Sequence, residues 1–95
     1  MAHGVIAKAA AGELSGLVTS HGLPPDTPAR VRRSIQPLKR FPLMGRTLGP
    51  PWEGARFLLG PWPWMIILYE FDAATDRVVV LAFQDGRMSS AARPG

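Results

Sequence analysis

The strongest constraint in this sequence is a pair of apolar runs joined by a short polar spacer. Trp64-Met65-Ile66-Ile67-Leu68-Tyr69-Glu70-Phe71 and Arg77-Val78-Val79-Val80-Leu81-Ala82-Phe83 flank Asp72-Ala73-Ala74-Thr75-Asp76. Both runs are rich in the β-branched and aromatic residues that suit strands, and the spacer has the polarity of a hairpin loop. Neither run alternates between apolar and polar positions, so each is predicted to be an interior strand with both faces covered. Helices can cover one face. The other needs a second packing surface or a partner. Phe57-Leu58-Leu59, ended by Gly60-Pro61, is predicted as a further strand, and residues 3–8 as a short first strand.

The N-terminal half supplies the helices. From Ala9 to about Ser20, the residues Ala10, Leu14, Leu17 and Val18 fall at helical spacing and form one apolar stripe. Gly12 and Gly16 weaken this helix by about 1 kcal/mol each relative to Ala, so it depends on tertiary packing. Gly22 is its expected stop, and Leu23-Pro24-Pro25 cannot continue it. A second helix starts with Thr27 as cap, Pro28 at the first helical position and Asp26 near the positive end of the dipole. Val31, Ile35 and Leu38 form its buried face, and Pro37 is expected to kink or end it. Phe41-Pro42-Leu43-Met44-Gly45 reads as an exit turn with Phe41 and Leu43 tucked against the core. A Gly/Pro loop, Gly49-Pro50-Pro51-Trp52-Glu53-Gly54, separates the helical half from the strand half. The expected organisation is one domain over residues 1–88 and a flexible tail over 89–95.

Composition narrows the chemistry. The 95 residues include no cysteine, which removes a disulfide framework, a zinc ribbon and a thiol nucleophile together. Only His3 and His21 offer imidazole ligands, so a metalloenzyme is not expected. The longest unbroken apolar run, Trp64 to Tyr69, is far below the roughly 20 residues of a membrane helix. The start of the chain lacks the pattern of a secretory signal, and the expectation is a soluble, cytoplasmic protein without membrane contact. Net charge is +4, and nine of the eleven basic residues are arginine. That balance favours an acidic partner and suits planar contacts to phosphate or carboxylate. Arg32, Arg33, Lys39 and Arg40 form a basic face on the second helix, open to phosphate contact or to solvent alone. Trp52, Trp62 and Trp64 are interleaved with Pro51, Pro61 and Pro63; such rings can stack on bases, anchor a peptide, or close the sheet edge as a lid.

The order of motifs resembles the RelE/ParE toxin superfamily. The carrying residues are Arg40-Phe41-Pro42-Leu43-Met44-Gly45-Arg46, Arg56-Phe57-Leu58-Leu59-Gly60-Pro61, Ile67-Leu68-Tyr69 and Val78-Val79-Val80-Leu81, across roughly residues 5–88. The resemblance implies an α+β fold, with a small antiparallel sheet and two N-terminal helices packed on one face. It implies the toxin of a type II, plasmid-stabilisation-type pair, held by a cognate antitoxin as a hetero-oligomer, with a homodimer also open. The implied target is mRNA on the ribosome or DNA gyrase, with no cofactor. A toxin-like module that binds protein or nucleic acid without catalysis is the alternative.

The resemblance carries to residues only in part. Arg56 matches an arginine that nuclease members place near the scissile phosphate, and a guanidinium there stabilises developing charge. Arg46 matches a basic position just before that strand, and Arg87 follows the last strand as a further source of positive charge. These three are the candidate catalytic residues. Arg32, Arg33, Arg40 and Trp52 are the candidate nucleic-acid contacts, the helix arginines being equally able to pair with an acidic antitoxin helix. Departures are plain. No arginine stands in Gly60-Pro61-Trp62-Pro63-Trp64, and no His or Tyr follows Phe83 within the sequence. Asp85 offers a base without a neighbouring acid in sequence, Tyr69 reads as core, and Ser89 and Ser90 have no evident activating base.

Overall fold

The computed structural model describes residues 2–87. Their order is β1 (His3–Ile6), α1 (Lys8–His21), α2 (Thr27–Ile35), a 3-10 turn (Gln36–Lys39), β2 (Arg46–Thr47), β3 (Arg56–Leu59), β4 (Met65–Asp72) and β5 (Arg77–Asp85). The expected tail, 89–95, lies outside the described residues.

The helices end where the chain's chemistry requires. Gly22 takes the left-handed conformation, φ 59°, and its N–H with that of Leu23 satisfies the carbonyls of Thr19 and Val18. In α2 the cap differs from expectation. Asp26 stands at the N-cap position, and the fully buried Thr27 donates its hydroxyl back to the Pro24 carbonyl at 2.6 Å. Thr27 therefore ties the preceding turn rather than the helix start. Pro37 ends the α-helix, but the chain continues as a 3-10 turn that keeps Leu38 fully buried beside Val31 and Ile35.

The sheet runs β1-β5-β4-β3-β2. Every pair is antiparallel except β1–β5, which is parallel, so the sheet is mixed. A parallel pair needs a long crossover, and here α1 and the rest of the chain supply it. The β4–β5 hairpin turns at Asp76, φ 53°, a conformation that Asp tolerates, and Asp72 accepts the Ala74 N–H.

β4 is central and buried without interruption from Met65 to Tyr69, as its lack of alternation implied. Met65, Ile67 and Tyr69 point to the face covered by α1, α2 and the 3-10 turn, where they meet Leu14, Val31, Ile35, Leu38, Val78 and Val80. Ile66 and Leu68 point the other way. That face is covered by the Gly/Pro loop, through Leu48 and Ala55, with Trp52, Phe57 and Leu81 packed around it. The loop is thus the second packing surface that the two unalternating strands demanded.

The exit turn is the main correction. Phe41 and Leu43 are 61% and 59% exposed, not tucked against the core. The turn is instead anchored by polar contacts at Gly45. The Tyr69 hydroxyl, inside the core, accepts the Gly45 N–H at 2.8 Å, and Arg56 Nη1 donates to the carbonyls of Gly45 (3.0 Å) and Leu43 (3.2 Å). Any side chain at position 45 would collide with the Tyr69 ring and the Phe57 carbonyl. This close approach, rather than apolar packing, fixes the turn.

Candidate functional site

Where α1 ends, β4 begins and β5 finishes, four chemically active side chains meet. The α1 terminus at Gly22 sets His21, the last helical residue, flat against Trp64, with ring centroids 4.4 Å apart. Asp85, opposite Met65 in the sheet register, lies on the helix-covered face and reaches the same ring: His21 Nε2 stands 3.2 Å from Asp85 Oδ2. Beyond Asp85 the chain folds back, with the Gly86 N–H on the Trp64 carbonyl at 2.6 Å and the Arg87 N–H on Asp85 Oδ1 at 2.9 Å. This turn brings the Arg87 guanidinium over Trp64, 5.0 Å from its centroid, and into a two-point pair with Asp85 at 2.9 and 2.8 Å. Arg87 Nη2 also lies 3.4 Å from His21 Nδ1. The Arg87 side-chain hydrogen bonds hold the Asp85 carboxyl down to about 2; the Arg87 backbone N–H and the charges of Arg87 and His21 add to this. Asp85 is therefore a fixed carboxylate that orients both His21 and Arg87.

The aromatic stack extends outward from this group. Trp62 lies 6.3 Å from Trp64 at 24°, and the Arg30 guanidinium sits 5.9 Å from the Trp62 ring. Arg30 is steadied by Asp26 at 3.0 Å, and a shallow depression lined by Asp26, Arg30, Arg33 and Pro61 adjoins the stack. Arginine, tryptophan, tryptophan, arginine: the series is a run of stacked rings bounded by cations at both ends, with His21 and Arg87 lying on Trp64. Its cationic ends suit phosphates.

The three candidate catalytic arginines are not brought together. Arg56 stands opposite Tyr69 and Asp85 opposite Met65, four positions apart on β4, or about 13 Å along the strand. Arg46 pairs with Phe57, one step from Arg56, so its side chain belongs to the opposite sheet face. Arg56 is engaged with the exit-turn carbonyls, and Arg46 is exposed at the sheet edge. Only Arg87 joins a cluster. Of the candidate nucleic-acid contacts, Arg33 adjoins the tryptophan stack, whereas Arg32 lines a separate groove with Gly4, Ile6 and Lys39 beside β1. Arg40 is exposed after the 3-10 turn. Trp52 is half-buried in the second core cluster.

His21 and Arg30 are the residues that sequence reasoning missed. His21 is separated from Asp85 by most of the chain, and only the packing of α1 on β5 joins them. Glu13 marks the same contact, accepting the Phe83 N–H at 3.3 Å. The one local signal was the Gly22 stop, which fixes His21 as the last residue of its helix. Among the described residues no group of three His, Cys, Asp or Glu could hold a metal ion, and no helix is long and apolar enough to cross a membrane.

No family model matches the sequence, and no curated protein matches it significantly. Among solved structures, the chain is similar to a chain of the toxin–antitoxin complex RelBE2 from Mycobacterium tuberculosis. The two are 22% identical with a TM-score of 0.59, over 88% of this chain and 96% of that one. The chain shares the fold of that chain, two helices on a five-stranded mixed sheet.

Proposed function

We propose that this protein is the toxin of a type II toxin–antitoxin pair, a single cytoplasmic domain over residues 1–88, and that its target is mRNA on the ribosome. The fold supports the toxin role; it is similar, over nearly the whole chain, to a structure solved as a toxin–antitoxin complex. The observation that carries the RNA reading is the meeting of His21, Asp85 and Arg87 on Trp64.

RNA cleavage within the strand needs a proton acceptor, a proton donor and stabilisation of charge on phosphorus. In this reading the 2′-oxygen bonds to phosphorus as the bond to the 5′-oxygen breaks. His21 takes the proton from the 2′-hydroxyl and returns one to the leaving 5′-oxygen. Arg87 exchanges part of its Asp85 contact for the phosphate oxygens, and Asp85 keeps the imidazole oriented. Trp64 backs the His21 imidazole, and Trp62 and Arg30 line the path of the flanking nucleotides. The products are a 2′,3′-cyclic phosphate and a 5′-hydroxyl. Arg56 has a positioning role, through the exit turn.

Expression alone should arrest growth, co-expression with the neighbouring gene product should relieve it, and mapped transcript ends should show cleavage in translated regions. His21→Ala should reduce cleavage by about 10²–10⁴-fold, the usual worth of a general acid–base group, with the melting temperature nearly kept. Growth arrest with intact mRNA would reject the RNA reading and turn attention to gyrase, read by supercoiling with purified enzyme. A second reading has its own observation: Asp85 engages both His21 and Arg87, so the same surface can bind without cutting. Salt-dependent RNA binding with no new ends would favour it.

A further inference from the structure

Arg32 stands where two grooves meet. One, of about 340 Å³, follows β1 and is lined by Gly4, Ile35, Gln36, Lys39 and Val80. The other, of about 470 Å³, lies between α1 and α2 and is lined by Leu14, Val18, Pro25 and Pro28. Ile6 and Arg32 belong to both, so the two form one continuous trough. No residue of the His21 cluster lines it, and what it binds does not depend on RNA cleavage.

The β1 end of the trough is built for negative charge. β1 is the last strand of the sheet and pairs only with β5. The His3 N–H bonds to the Asp76 carbonyl and the Ala7 N–H to that of Val80, so by alternation Gly4 and Ile6 turn their N–H groups to the open side. Lys39 is half-buried on the same side, its Cε 3.7 Å from where a Gly4 Cβ would stand. Among the described residues neither Lys39 nor Arg32 forms an ion pair, and no acidic residue lines either groove. Two cations and two outward N–H groups thus face one end of the trough, and a carboxylate supplies the acceptors they need.

The other end selects against most anions. Between α1 and α2 the lining is mainly aliphatic, and its two hydroxyl residues, Ser15 and Thr19, are exposed. The helix backbones there are bonded within their own helices, so a peptide laid in this part would leave its amides unpaired. No aromatic ring lines either groove, so a nucleobase finds nothing to stack on. A second copy would set Arg32 and Lys39 against the same charges. A hydrocarbon chain meets none of these objections, because it has no polar group to satisfy.

We propose that this trough binds a free aliphatic carboxylate, its head group held by Arg32 and Lys39 at the open edge of β1 and its chain laid between α1 and α2. Titration of the full chain with sodium octanoate and sodium decanoate, followed by methyl NMR, tests it. Saturable shifts should concentrate at Ile6, Leu14, Val18, Ile35 and Val80, and affinity should rise about four- to fifteenfold with the two added methylenes. Decyltrimethylammonium, with the same chain length and opposite charge, should bind at least about tenfold more weakly than decanoate. Arg32→Glu/Lys39→Glu should reverse that preference. Should this variant fail to fold, Ser15→Glu/Thr19→Glu, changed at exposed positions of α1, must weaken decanoate at least about tenfold. Shifts spread over the surface without saturation, equal binding of the two amphiphiles, no gain with chain length, unchanged binding to the variants, or binding to phosphatidylglycerol vesicles but not to decanoate would each overturn the proposal.

Discussion

At the scale of single residues, the molecule relies on a few polar contacts between segments far apart in sequence. Tyr69 is fully buried, and burial raises its phenol pKa while the Gly45 N–H partly opposes the shift. Tyr69→Phe leaves that N–H without its partner and should cost about 1–3 kcal/mol by urea unfolding. Asp85 gives the clearest pH dependence. Its carboxyl is held at about 2 in the folded chain, below its ordinary 3.8. A depressed carboxyl stabilises the fold above the unfolded value and loses that contribution as pH falls. Asp26 and Asp72 are shifted in the same direction. The melting temperature should therefore drop between about pH 4 and pH 2, and Asp85→Asn should flatten part of that slope.

At the scale of elements, what was legible followed from periodicity and from glycine and proline. The β4–β5 hairpin, both helices and the Gly22 stop stand where the sequence put them, because apolar spacing and helix-ending chemistry act locally. β2 was not legible: two exposed residues carry no pattern, and only pairing with β3 makes them a strand. Phe41 and Leu43 misled because hydrophobicity says nothing about which way a turn faces. The site divided in the same manner. Arg87 was found from its place after a strand, whereas His21 needed the docking of α1 on β5. α1 also retains room for improvement. A methyl group at Gly12 or Gly16 would meet nothing within 4 Å, and neither glycine has positive φ. Gly12→Ala/Gly16→Ala should raise stability by about 1–2 kcal/mol, measured as a higher urea midpoint with unchanged slope.

At the scale of the whole molecule, helices cover one sheet face and a proline-rich loop the other, leaving β4 enclosed from Met65 to Tyr69. Native-state hydrogen exchange should then be slowest at Ile67, Leu68 and Tyr69, opening only with global unfolding, and fastest along β2 and the exit turn. Equal protection in β2 and β4 would contradict this layering. The parallel pairing of β1 with β5 has a further consequence for synthesis. His3 must wait for Arg77, and Glu13 for Phe83, before either pairing forms. A nascent chain thus carries α1 without the strand that anchors it, and His21 without Asp85 or Arg87. Cotranslational folding cannot assemble the cluster early: each copy completes it only after residue 87 has been translated, so a stalled or truncated product lacks it.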